Sequence, residues 1–127
     1  MKHTNEKGID TEEKSKYFDI DKFKKEYGDF AAVQILEQAL ETLPKYKKQL
    51  QNAHQQRDYK ALQTTAHTLK GSAMALFAYK LQELVKNVEG AAENKNDSEI
   101  NKLMDNFDNI YSQTINVINK NKDVLKK

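Results

Sequence analysis

Between Leu62 and Leu76, Leu62, Ala66, Leu69, Ala73 and Leu76 fall in steps of four, three, four and three. That spacing keeps them on one side of an α-helix. A helix with one apolar stripe must bury it, and several such helices bury their stripes against each other. Leu81, Leu84, Val85, Val88 and Ala92 make a second stripe. Ile100, Leu103, Phe107, Ile110, Thr114 and Val117 make a third, stepping three, four, three, four and three. Phe30, Val33, Leu36, Leu40 and Leu43 begin another, which Tyr46, Leu50 and Ala53 continue past Pro44. With only four glycines and one proline, the 127-residue chain carries few turn signals. The expected fold is all-α: an antiparallel, up-down helical bundle with short additional helices at its N-terminal end.

The punctuation sets the expected boundaries. Residues 1–16 offer almost nothing to bury and read as a flexible tail. Asp19 or Asp21 caps a short helix carrying Phe18, Phe23 and Tyr27, which Gly28 ends. Asp29 is the expected N-cap of the next helix. Pro44 either breaks that helix or starts a new one at its first turn. Asp58 caps the helix of Leu62–Leu76, a break falls near 77–79, and Asp97 or Ser98 caps the last helix after a polar turn at 94–97. One bundle domain is expected over 17–122, with 123–127 as a C-terminal tail.

Composition narrows the function. Twenty-one basic and nineteen acidic residues leave a net charge of +2, too even to argue for nucleic acid. The absence of cysteine excludes disulfides and thiolate metal sites. No long apolar run and no signal-peptide pattern appear, so a soluble cytoplasmic protein without a membrane partner is expected. No histidine pair has metal-ligand spacing, so no metal site is expected. A glycine-rich nucleotide loop is also missing, which argues against kinase activity.

The chemistry concentrates in Ala66-His67-Thr68-Leu69-Lys70-Gly71-Ser72. His67 lies about 100° around the helix from the buried seam position Ala66. It shares an outer stripe with Lys60, Gln63, Lys70, Gly71 and Met74. Glycine inside a helix costs roughly 1 kcal/mol relative to alanine. Close approach by another protein is a reason to accept that cost. Neutral imidazole is a good nucleophile near pH 7. Phosphoryl transfer asks for positioning and charge stabilisation, and Lys70 supplies a point charge for phosphoryl oxygens. Counting back across the hairpin from a turn near residue 78 places Glu89 opposite His67. Glu89 is therefore the expected acceptor for the Nδ1 proton, leaving Nε2 to attack. On this reading Gly71, Gln63, Met74 and Phe77 line a docking surface. The bland alternative is that His67 is an ordinary surface histidine, as His3 and His54 are read to be.

AHTLKGSAMALFAYKLQELVKNVE resembles the central hairpin of the histidine-containing phosphotransfer (HPt) domain. The matching residues are His67, Leu69, Lys70, Gly71, Ser72, Leu76, Leu81 and Val88-Glu89, and a looser likeness runs over roughly 18–120. The resemblance implies a four-helix bundle, a phosphohistidine at His67 assisted by Lys70, and no bound nucleotide or cofactor. It implies exchange with the aspartate of a response-regulator receiver domain or a hybrid sensor histidine kinase, with Mg²⁺ supplied by the receiver. The expected protein is a monomeric phosphocarrier of a multistep phosphorelay, not an enzyme. Phe77 departs from the family, which usually has glycine at this turn. Phenylalanine there either adopts the left-handed conformation at a cost or avoids it. Two rivals stand beside this reading: an HPt-fold module that docks on a receiver without transfer, and a plain helical scaffold.

Overall fold

The structure, a computed structural model, describes residues 11–125. Residues 1–10 and 126–127, parts of the two expected tails, lie outside it. Six helices follow one another: α1 (Thr11–Tyr17), α2 (Ile20–Tyr27), α3 (Asp29–Gln55), α4 (Tyr59–Ala75), α5 (Tyr79–Glu93) and α6 (Asp97–Leu125). No strand occurs among the described residues. The four long helices form the bundle. Each packs on its neighbour in the chain and α6 returns to α3, closing the ring.

The core is drawn from all four stripes. Leu36, Leu43, Leu50, Leu62, Leu69, Leu81, Val85, Val88, Phe107 and Ile118 are fully or almost fully buried. Thr114 is buried with them, and its hydroxyl donates back to the Ile110 carbonyl at 2.8 Å. Phe18 and Phe23 pack edge to face and add a cap to the core from the N-terminal helices.

Several expected boundaries are corrected. Residues 11–16 are helical, not tail. The Glu13 carboxylate meets Lys80 Nζ at 2.6 Å, and the same ammonium lies over the Tyr17 ring. The apolar anchors of this segment, Tyr17 and Phe18, come at its end, so α1 has no stripe of its own to read. At the other terminus α6 continues through 123–125. Pro44 neither breaks nor starts a helix, because α3 runs through it. Leu36, Leu43 and Leu50 are each at most 1% exposed. A buried leucine contributes about 1.5–3 kcal/mol, so three on one face outweigh the ~3 kcal/mol cost of an interior proline. Phe30 is 82% exposed, and Ala32 takes the buried place. Steps of three, 30 to 33 to 36, fall about 60° behind the helix each time, so Phe30 points away from the face that Leu36 occupies.

The caps differ in part as well. Asp19 and Asp58 accept backbone N–H bonds from Lys22 and Ala61, as expected. Asp29 is the first residue of α3 and not its cap, which is Gly28. Asn96, rather than Asp97 or Ser98, caps α6 by accepting from the Glu99 N–H.

The three turns of the bundle share one design. Arg57, Phe77 and Lys95 have φ of 51°, 57° and 53°. In each turn that residue donates its N–H three residues back, and the next residue donates five back. Phe77 bonds Met74 and Ala78 bonds Ala73; Arg57 and Asp58 bond His54 and Ala53; Lys95 and Asn96 bond Ala92 and Ala91. This is the paired closure that ends a helix on a left-handed residue, usually glycine. Phe77 therefore takes the strained conformation rather than avoiding it.

Candidate functional site

The α4–α5 hairpin positions the site. Leu62, Ala66, Leu69 and Ala73 turn one side of α4 into the core, and Leu81, Leu84, Val85 and Val88 do the same for α5. Those anchors leave His67 on the outer face of α4 and set Glu89 at the seam between the helices. His67 Nδ1 lies 2.8 Å from Glu89 Oε2. A carboxylate only accepts, so Nδ1 carries the proton and donates it. The imidazole is 67% exposed. With Nδ1 held, Nε2 is the nitrogen left to react.

Lys70 Nζ lies 2.8 Å from Glu89 Oε1. One carboxylate thus spans both groups, an oxygen to each. Lys70 and Glu89 are less exposed than the histidine, at 27% and 20%. The Lys70 ammonium above all holds the Glu89 carboxyl below its ordinary value; burial opposes it, and the His67 hydrogen bond adds a smaller push in the same direction as Lys70. Glu89 is therefore ionised at neutral pH.

The predicted residues divide into two groups. The structure brings His67, Lys70 and Glu89 together. Gln63, Gly71 and Met74 share the His67 stripe, with Met74 52% exposed and Gln63 half-buried. A Cβ built on Gly71 meets nothing within 4 Å, so no neighbour among the described residues requires a glycine there. Phe77 is not part of the immediate site. It lies ten residues beyond His67, roughly 15 Å along the helix. Its half-buried ring meets Tyr79 edge-on, and its carbonyl accepts the Asp19 N–H at 3.1 Å. Phe77 thus ties the N-terminal helices to the hairpin turn.

The bond between Lys70 and Glu89 is absent from the sequence reading. The hairpin count that set Glu89 opposite His67 contained the signal, because Lys70 is one turn from His67 on the same stripe. Among the described residues, no group of three or more histidines, aspartates and glutamates is arranged to hold a metal ion. No helix among them is long and apolar enough to cross a membrane.

Comparison with known proteins agrees with this hairpin. A family model described as Hpt domain matches residues 34–116, which contain all of α4 and α5 and most of α3 and α6. Searches of curated proteins and of solved structures find no significant match.

Proposed function

The chain belongs to the Hpt domain family, and on that premise we propose that it carries a phosphoryl group on His67 between receiver-domain aspartates of a multistep phosphorelay. Hpt domains are phosphocarriers of two-component signalling rather than enzymes, and they work with receiver domains and kinases. The observation that carries the finer reading is the 2.8 Å bond from Nδ1 of an exposed imidazole to an ionised carboxylate. It orients the ring and reserves Nε2 as nucleophile. In the accepting step the Nε2 lone pair attacks the phosphorus of a receiver aspartyl phosphate. The bond from phosphorus to the carboxylate oxygen breaks, and its electron pair returns to the aspartate. Nδ1 keeps its proton throughout.

The partners on this reading are a hybrid sensor histidine kinase and a response regulator in the cytoplasm, with Mg²⁺ belonging to the receiver. All three site side chains come from one chain, so a monomer suffices. Phe77 takes the same left-handed turn that glycine would, so it lends no support to a docking module without transfer.

The test is incubation with a phosphorylated receiver, followed by a search for acid-labile, base-stable phosphate on this chain. The expected result is label on the wild type and none on His67→Gln, with helicity unchanged because the side chain is exposed. A fully labelled His67→Gln overturns the assignment.

A further inference from the structure

We propose that Glu89 exchanges one cation for another when His67 is phosphorylated, and that this exchange delivers Lys70 to the phosphoryl group. The inference rests on the phosphocarrier reading and concerns how its site is regulated.

Before attack, Glu89 Oε1 is 2.8 Å from the Lys70 ammonium and Oε2 is 2.8 Å from Nδ1 of the imidazole, whose attacking form, with Nε2 unprotonated, is neutral. The one full positive charge on the carboxylate is that of Lys70. Attack by Nε2 changes the account of charges. The ring has given its lone pair to phosphorus and still holds the Nδ1 proton, so it becomes a cation against Oε2. The phosphoryl oxygens arrive with negative charge on the same outer stripe as Lys70, one turn from its own position. Glu89 then neutralises the ring, and Lys70 is released to neutralise the phosphoryl group. Each charge has an opposite partner both before and after the step, and none is stranded at the half-buried seam. A lysine can make this move because it is a point charge on a long, flexible stem. When the phosphoryl group leaves, the ring is neutral again and Lys70 returns to Glu89.

Charge and orientation are separable at Glu89. In Glu89→Gln the amide oxygen still accepts from Nδ1, so the ring keeps its tautomer, but nothing neutralises the ring cation. The expected loss in the rate of phosphoryl acceptance from a phosphorylated receiver is about tenfold or more, the scale of one charge-assisted hydrogen bond. The imidazole ¹⁵N shifts should still report a proton on Nδ1. Lys70→Met leaves the Glu89 carboxylate unneutralised against the incoming phosphoryl group and slows acceptance further. Adding Glu89→Gln to Lys70→Met should then recover part of that rate, because it removes the stranded anion. Recovery supports the exchange. Losses that simply multiply in the double variant mean that the two residues act independently, and they overturn it. A wild type that takes no label in the same assay instead defeats the phosphocarrier reading, so the two failures are distinguishable.

Discussion

His67 is two-thirds exposed yet held at one nitrogen, and Gly71 one turn away has no side chain to shield it. Nothing among the described residues explains that glycine, since a Cβ there meets open space. Gly71→Gln should therefore stabilise α4 by something under 1 kcal/mol, as replacement of an interior helical glycine by a good helix former does. If the gap admits a receiver, the same substitution should weaken receiver binding. Denaturant unfolding and a binding titration of one variant check both halves, and unchanged affinity removes the clearance argument. At this scale much was legible in the sequence. His67, Lys70 and Gly71 follow from helical spacing, and Glu89 from counting across one hairpin. The partner of Lys70 was not legible, because spacing puts a lysine on a face without choosing between a neighbouring carboxylate and an incoming anion.

The helices were legible where their stripes were regular, and their ends were less so. Pro44 looked like a break or a helix start because its local cost inside a helix is plain in the sequence. The burial of Leu36, Leu43 and Leu50 that offsets the cost belongs to the folded bundle. Phe30 looked like core because steps of three mimic a helical stripe over one turn and drift off it over two. The turns at Arg57 and Lys95 hid a feature that only the family likeness at Phe77 had raised. All three end a helix on a left-handed residue with a side chain, and a sequence search for glycine finds none of them. A non-glycine residue in that conformation costs roughly 1–2 kcal/mol. Arg57→Gly and Lys95→Gly, both at exposed positions, should each raise stability by about 1 kcal/mol, read from urea midpoints at constant slope. Phe77→Gly relieves the same strain but forfeits the ring's packing against Tyr79, so its gain should be smaller than at either exposed turn.

The molecule as a whole is a closed ring of four helices with a two-helix addition at the hairpin-turn end. The ring was legible because every long segment had an apolar stripe and short connections make neighbours antiparallel. The addition was half-legible. Phe18 and Phe23 announced α2, whereas α1 is held by an ion pair and a cation–π contact that link residues 63 or more apart in sequence. Closure of the ring also buries Tyr111 beside Phe107, and burial pushes its phenol up to about 12. Its unfolded value is near 10. The folded state thus holds the proton more tightly than the unfolded chain does, and stability present below pH 10 should be lost as pH rises from about 10 to 12. In an alkaline titration followed by phenolate absorbance and circular dichroism together, Tyr111 should ionise only above pH 10, in step with loss of helicity. A Tyr111 that titrates at the ordinary value while helicity persists would contradict its burial.

The bond from His67 to Glu89 spans only 22 residues, and Lys70 lies between them in sequence. The cluster of His67, Lys70 and Glu89 is therefore assembled by one hairpin, a local tertiary contact. Local contacts close early and at low entropic expense during folding. Sequence change in α1, α2, α3 or α6 can thus alter how much of the protein is folded while leaving the chemistry of each folded molecule untouched.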